Sequence, residues 1–194
     1  MTSDITVLTA DVRSHLSERR FTHSLNVAAE AEKLAVEYGG DPEKAYLSGL
    51  VHDILKENDN SALRFFEERG ITLTELEKSA PKLWHAMAGA VFISEHYDFE
   101  DDIITAVRYH TTGRENMSLL EKILFVADFI SADRDYPGVD EMRKRAQVSL
   151  EYAMEEGLRF TINELSESGR AIHPDTVACY NEIILRKDKN NGKA

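Results

Sequence analysis

Apolar residues recur along this chain at spacings of three and four, which is the pattern of helices packed on a core. β-branched and aromatic residues do not gather between turn signals, as strands would require. Gly39-Gly40 is typical of a helix end, and Asp41-Pro42 is typical of a helix start. Ser118 and Glu121 have the spacing of a capping box. The sequence therefore predicts an all-α protein.

The helical segments follow one another without an internal repeat or a low-complexity linker, which favours a single domain. We expect residues 1–186 to form this domain and residues 187–194 to form a polar C-terminal tail. The most irregular stretch is 131–138. Helices are predicted around residues 8–16, 25–38, 42–56, 60–69, 81–93, 101–110, 118–130, 139–166 and 177–185.

Composition restricts the class of protein. The chain has 194 residues, of which 42% are apolar and 30% charged, as in a compact globular domain. No apolar run approaches the ~20 residues of a membrane span, and Asp4 stands where a secretory signal carries lysine. We therefore expect a cytoplasmic protein without a membrane partner. The single cysteine, Cys179, excludes an internal disulfide and a cysteine-rich zinc site.

Charge argues against a nucleic-acid partner. There are 23 Lys and Arg residues against 35 Asp and Glu, and the formal net charge is −12. Such a surface repels a long phosphate backbone, although a locally basic pocket can still bind a small anion. Neither GxGxxG nor GxxxxGK[ST] occurs, so the sequence gives no support to a Rossmann or P-loop mechanism.

The placement of histidine is the strongest chemical signal. Four histidines and two aspartates lie on, or at the end of, separate predicted helices and have apolar neighbours: His23, His52, Asp53, His85, His110 and Asp128. One histidine on an apolar face is usually a core residue, but several around a His-Asp pair indicate a shared cation. A buried Asp128 would also need a cationic partner. By contrast, His15 and His96 have polar neighbours and are interpreted as structural residues.

The order of these residues resembles the HD-domain metal-dependent phosphohydrolases, and more narrowly their YqeK-type branch, the symmetrical diadenosine tetraphosphate hydrolases. The resemblance runs through most of the chain. The chain departs from the pattern at Ser131-Ala132-Asp133, where an acidic residue and a proline are expected. The similar segments are Arg20–Val27, His52–Lys56, Tyr109–Gly113, Arg134–Val139 and Arg170–Pro174.

The resemblance implies an HD-type helical bundle with a metal site between helices. It implies that one metal is bound by His23, His52, Asp53 and Asp128, and a second metal by His85 and His110, with Asp53 bridging the two. Catalytic roles are implied for Asp53, Lys56 and His173. Phosphate-binding roles are implied for Arg20, Lys56, Arg134, Arg170 and His173.

The implied reaction is symmetrical cleavage of a dinucleoside polyphosphate, in which a metal-bridging hydroxide converts diadenosine tetraphosphate into two ADP. The metals would be two divalent or mixed-valence transition-metal ions. The donor set suits manganese, cobalt, nickel or iron, and only the resemblance points to a di-iron centre.

Two other classes remain open at this point. One is another HD enzyme, a 5′-nucleotidase or a deoxynucleoside triphosphate triphosphohydrolase, which should lack the loops of Arg134 and Arg170. The other is a noncatalytic nucleotide-binding module stabilised by metal, although about three protein ligands per metal leave room for water. Arg134 could instead pair with Asp133 or Asp135, and Arg170 with Glu167. The oligomeric state also stays open, a homodimer included.

Overall fold

A computed structural model of the chain describes residues 5–57 and 59–191. These residues form helices and no strand, which confirms the all-α prediction. A short 3-10 helix, Pro81–Leu83, leads into the sixth α-helix. The α-helices are α1 (Ile5–His15), α2 (Glu18–Tyr38), α3 (Pro42–Val51), α4 (Asp59–Glu68), α5 (Glu75–Ser79), α6 (Trp84–His96), α7 (Asp101–Tyr109), α8 (Leu119–Ile130), α9 (Val139–Ala146), α10 (Leu150–Glu167) and α11 (Pro174–Asn191).

Local sequence signals set several helix ends. Gly39 ends α2 in the left-handed conformation, with φ of 72°, which glycine adopts without steric cost. The side chain of Asp41 then accepts the backbone N–H groups of Glu43 and Lys44 and so caps α3. The capping box predicted for Ser118 and Glu121 is present at the start of α8.

Helices α2 and α3 approach each other closely because Gly49 has no side chain. A Cβ atom at Gly49 would lie 2.5 Å from the Cα atom of Ala28. This close contact fixes α3 against α2, and it brings the residues that follow α3 next to His23 on α2. The helix pair therefore determines the spacing of two predicted metal ligands.

Helix α8 lies in the centre of the molecule. Residues 123–127 are all buried, and α2, α3, α7 and α10 all pack against the helix. A helix that is apolar on every side belongs to a core. Asp128 follows this apolar run directly, so its carboxylate is carried into the interior of the bundle.

Helix α10 runs alongside α8 in the same direction and continues beyond its end. Lys122 near the start of α8 lies 2.6 Å from Glu151, and Phe129 near its end lies close to Gly157. Helix α11 then returns along α10, since Lys187 lies 2.9 Å from Glu155. The loop between α10 and α11 is consequently placed past the end of α8.

Two expectations about the helices were wrong, and one helix was missed. Helix α3 ends at Val51 rather than near Lys56, because residues 52–57 form successive turns. The predicted helix over 139–166 is two helices, since Ser149 accepts the N–H of Tyr152 and starts α10 anew. Helix α5 was not predicted, although Thr74 and Glu77 form a capping box at its start.

The C-terminal part of the chain is more helical than expected. Helix α11 continues through residues 187–191, the described part of the predicted tail, and residues 192–194 lie outside the described residues. Within the described residues, no helix combines the length and the hydropathy needed to cross a bilayer.

Candidate metal centre

The fold brings the four predicted histidines and two aspartates into one cluster. They come from five segments of the chain: α2, the turns after α3, α6, the end of α7 and α8. His23, His52, Asp53, His85 and His110 are buried, and the side chain of Asp128 is 17% exposed.

The first group within the cluster contains His23, His52 and Asp128. Nε2 of His23 lies 3.0 Å from Oδ1 of Asp128, and Nε2 of His52 lies 3.9 Å from the same oxygen. Three donor atoms on three different elements thus face a common point. This arrangement is suited to holding a metal ion.

The second group contains Asp53, His85 and His110. Oδ1 of Asp53 lies 3.2 Å from Nε2 of His85 and 3.7 Å from Nε2 of His110. The two Nε2 atoms lie 3.2 Å apart. His52 also lies within reach of Asp53 and His110, so the two groups are continuous.

Asp53 lies between the two groups and presents a different oxygen to each. Its Oδ2 atom lies 3.6 Å from Nε2 of His52, whereas its Oδ1 atom faces His85 and His110. This is the geometry expected of a carboxylate that bridges two cations.

The ring orientation of three histidines is set by hydrogen bonds at Nδ1. His52 donates Nδ1–H to the carbonyl of Gly49 at 2.6 Å, and His110 donates to the carbonyl of Val107 at 2.7 Å. Nδ1 of His23 lies 2.8 Å from Oδ2 of Asp133. The Nε2 atoms of His52 and His110 therefore carry a lone pair toward the cluster, as metal-binding imidazoles require.

Asp133 is a site residue that the sequence analysis missed. Its carboxylate also accepts hydrogen bonds from Asn26 at 3.1 Å and from Ser131 at 3.0 Å. In the comparison with the family pattern, this position stood out only because Ser131-Ala132-Asp133 departs from the expected residues. Five residues after Asp128, beyond the end of α8, the loop turns back toward α2, and no periodicity in the sequence reveals that return.

Two buried polar atoms at the centre have no hydrogen-bond partner among the described residues: Nε2 of His52 and Oδ1 of Asp53. The latter lies near His85 and His110 but forms no well-oriented hydrogen bond with them. Buried polar atoms are normally satisfied. Lone-pair donors left unpaired between imidazoles and carboxylates therefore fit a transition-metal centre.

Burial and charge place four of these groups in the protonation states that bind metal, whereas Asp128 and Asp133 raise the pKa of His23 against the effect of burial. Burial lowers the pKa of both His52 and His85 to about 4, so the two rings are neutral near pH 7. Burial opposes ionisation of Asp53, yet the neighbouring His52 and Lys56 hold the pKa of its carboxyl well below its usual range. Asp128 is likewise held ionised against burial by His23 and Arg134.

Three cationic side chains border the cluster on its more exposed side. Lys56 lies 3.6 Å from Oδ1 of Asp53 and 2.7 Å from Nε2 of His85. Arg20 lies 3.4 Å from Oδ2 of Asp53. Arg134 donates to the carboxylate of Asp128 and, through Nε, to its backbone carbonyl at 2.7 Å. An incoming anion would meet positive charge here.

The partners of both arginines differ from the acidic neighbours considered above. Arg134 pairs with Asp128 rather than with Asp133 or Asp135. Arg170 binds Glu164 and Ser168 rather than Glu167, in the loop between α10 and α11. No hydrogen bond or ion pair in the described chain joins Arg170 or His173 to the six clustered residues.

Both histidines interpreted as structural lie elsewhere. The ring of His96 stacks on Phe92 with centroids 4.1 Å apart, and Nδ1 donates to the carbonyl of the same residue at 2.9 Å. His15 packs edge-on against Phe92, with ring centroids 5.1 Å apart.

Comparison with known proteins agrees with this geometry. A family model described as HD domain matches residues 20–133, which is more than half of the chain. The symmetrical bis(5′-nucleosyl)-tetraphosphatase of Halalkalibacterium halodurans is 39% identical over 177 residues, covering 91% of this chain and 95% of that protein. The Bacillus subtilis protein of the same name is 36% identical, with coverages of 90% and 95%.

A solved structure extends the similarity to the whole fold. It is a protein of Clostridium acetobutylicum described as a predicted HD superfamily hydrolase involved in NAD metabolism. The two structures superpose with a TM-score of 0.87 at 32% identity, covering 96% of this chain and all of the other.

The chain belongs to the HD-domain family, and membership implies a divalent-metal centre. The Halalkalibacterium halodurans and Bacillus subtilis relatives, which match over nearly their full length, carry one name. Within the family, the chain belongs to the branch of symmetrical bis(5′-nucleosyl)-tetraphosphatases.

Proposed function

We propose that this chain is a metal-dependent hydrolase that cleaves diadenosine tetraphosphate symmetrically into two ADP. The observation that carries the proposal is the position of Asp53, whose two oxygens face separate histidine groups beneath a rim of Arg20, Lys56 and Arg134. A polyphosphate is the small anion that such a centre suits. The name shared by the full-length relatives points to the same substrate.

The proposed ligand assignment follows the two groups of donor atoms. One metal would be held by His23, His52, Asp128 and Oδ2 of Asp53. The second metal would be held by His85, His110 and Oδ1 of Asp53. The distances between 3.0 and 3.9 Å within each group support this division.

Iron is the metal we propose, with manganese, cobalt and nickel as the ions that the same donor set accepts. Two bound cations supply charge neutralisation at the phosphoryl oxygens and an activated water. The protein has to place the scissile phosphate at this centre and to balance the remaining negative charge.

Lys56 and Arg134 are suited to that task. Lys56 is held between Asp53 and His85, so its ammonium group can bind a phosphate oxygen without leaving the centre. Arg134 is anchored by the carbonyl of Asp128, which directs its guanidinium along the edge of the first metal group. A guanidinium binds phosphate through two parallel N–H donors. Arg20 covers the opposite side of Asp53.

Arg170 and His173 complete the proposal from the loop between α10 and α11. Nδ1 of His173 accepts the backbone N–H of Asp175 at 3.2 Å. The ring therefore carries an N–H on Nε2, where it can donate a hydrogen bond to the leaving phosphate. Arg170 would bind an outer phosphate on the same side.

Product analysis tests the function. The metal-loaded protein is incubated with diadenosine tetraphosphate, and the products are separated by chromatography. We expect ADP alone, and no turnover by Asp53→Asn. Initial formation of ATP with AMP would contradict symmetrical cleavage.

AMP, dATP and NAD serve as comparison substrates in the same assay. Faster hydrolysis of AMP or dATP would favour the other classes of HD enzyme. NAD is included because the structural relative is described as involved in NAD metabolism. His96→Ala is the control for loss of a histidine outside the cluster.

A further inference from the structure

Two aromatic rings meet at the surface beside the irregular loop. The rings of Tyr136, in the loop, and Phe160, on α10, have centroids 5.7 Å apart and planes inclined by 35°. Phe160 is 48% exposed, although its ring lies next to that of Tyr136. We call this pair the aromatic ledge.

One end of the ledge adjoins the metal centre. The hydroxyl of Tyr136 donates to the carbonyl of Phe129 at 3.0 Å, and Phe129 follows Asp128. Arg134 precedes Tyr136 by two residues, and its guanidinium lies 3.3 Å from Nε2 of His23. The ledge therefore begins at the arginine to which we assign phosphate binding.

The other end of the ledge adjoins Arg170. Glu164 follows Phe160 by about one turn of α10, or ~6 Å along the helix, and pairs with Arg170. Exposed ring surface thus lies between two guanidinium groups, on the part of α10 that extends past the end of α8. Both residues of the ledge are neutral, since Phe160 has no ionisable group and burial raises the pKa of Tyr136 to about 12.

We propose that the aromatic ledge binds one adenine base of the substrate by stacking on Phe160, an inference that rests on the proposed function. A purine presents a flat π-face to an aromatic ring, while its attached phosphates would reach Arg134 and the metal centre. The ledge is only two rings wide and is bordered by charged side chains, which favours one base over an extended apolar partner. Phe160 thereby distinguishes a nucleotide from a bare polyphosphate.

Calorimetric titration of the metal-loaded protein with ADP and with pyrophosphate tests the inference. We expect Phe160→Ala to weaken ADP binding by about ten- to a hundredfold, as for loss of one stacked base, and to leave pyrophosphate binding unchanged. Phe160→Tyr should restore ADP binding. Tyr152→Ala is the matched control, because Tyr152 is a half-exposed aromatic residue at the other end of α10.

A fluorescence measurement gives a second readout. The only tryptophan, Trp84, is buried, so Phe160→Trp introduces an exposed indole as a reporter. ADP should quench this indole, and pyrophosphate should not. Two results would overturn the ledge as a base site: quenching by neither ligand, or an equal loss of affinity for ADP and pyrophosphate in Phe160→Ala.

The proposed function and the base-site inference can be refuted independently of each other. A wild-type protein that binds ADP through Phe160 but leaves diadenosine tetraphosphate intact would refute the hydrolase proposal and leave the base site standing. A wild-type protein that cleaves the tetraphosphate, with the same KM in Phe160→Ala, would refute only the ledge.

Discussion

Asp133 holds His23 from the side opposite the other ligands: its Oδ2 atom lies 2.8 Å from Nδ1, while Nε2 lies 3.0 Å from Asp128. Such carboxylate–histidine pairs fix the tautomer of a ligand and raise its basicity. The hydrogen bonds from Asn26 and Ser131 fix Asp133 in turn. Residues outside the coordination sphere therefore hold one corner of the site.

Replacement of Asp133 tests this support. Asp133→Asn should weaken metal affinity by about ten- to a hundredfold, because the amide no longer enforces the orientation and basicity of His23. A chelator-competition titration measures the affinity. Asp135→Asn, an exposed carboxylate two residues further on, is the control. Equal affinity in both variants would show that Asp133 only caps the loop.

The ligand division makes a prediction about stoichiometry. His85→Ala and His110→Ala should each lower the metal content from about two ions per chain toward one, because both residues are assigned to the second group. Elemental analysis of the purified variants decides the matter. His96→Ala, which removes a ring stacked on Phe92, should keep two ions. Two ions in all three variants would disprove the assignment.

Arg134 should affect catalysis more than metal binding. A charge-assisted hydrogen bond contributes roughly 1.5–3 kcal/mol, so Arg134→Gln should lower kcat/KM for the tetraphosphate by about ten- to a hundredfold. Metal content should stay unchanged. Arg159→Gln, on the exposed face of α10, is the control.

The ion pair with Asp128 adds a thermal prediction for the same variant. Arg134→Gln should lower the melting temperature after chelation, because Asp128 then has neither the metal nor the guanidinium beside it. With metal present, the decrease in melting temperature should be much smaller. A similar loss in both states, with full activity, would mean that Arg134 is purely structural.

The close contact of α2 and α3 can be tested with two glycines. Gly49→Ala should cost at least about 1–3 kcal/mol of unfolding free energy, because the new Cβ would lie 2.5 Å from Ala28. Gly89→Ala is the control. Its Cβ would meet neighbours at 3.8 Å or more, and it lies inside α6, where alanine is favoured. Denaturant titrations give both values, and equal stabilities would refute the steric argument.

Cys179 predicts a dependence of stability on alkaline pH. Burial raises the pKa of its thiol from 9.0 to about 11, with Glu182 and Glu121 adding to the shift and Lys122 opposing it. The unfolded chain therefore loses this proton first, so the stabilisation is complete below about pH 9 and disappears as the pH rises toward 11.

The difference in unfolding free energy between wild type and Cys179→Ala measures this contribution, which is at most about 3 kcal/mol. The difference should shrink from pH 8 to pH 11. A constant difference would show that the thiol titrates normally. Because Cys179 is the only cysteine, reaction of the native protein with a thiol reagent at pH 8 gives an independent check and should be slow.

Apolar spacing and capping residues predicted most helices because those signals are local. The break between α9 and α10 at 147–149 was not predicted because apolar residues continue in helical spacing across it. Only the cap at Ser149 reveals the break. Helix α5 escaped because five residues are too short to show a period.

The six clustered residues could be found from sequence because each ionisable group lies in an apolar run, where it needs a partner. The contact between Asp133 and His23 depends on how the loop after α8 folds back onto α2. No spacing in the sequence encodes that contact. For the same reason, the pairing of Arg134 with Asp128 was not foreseen.

His52 and His110 share one local device, since each ring donates to the carbonyl three residues earlier in its own helix. The direction of both Nε2 atoms is therefore set within a single turn of the chain, without a contact from the other segments of the site. The entropy lost in orienting these rings belongs to folding, so a cation meets donors that are already aligned. The site is thus preorganised by the ends of two helices as much as by the packing of the bundle.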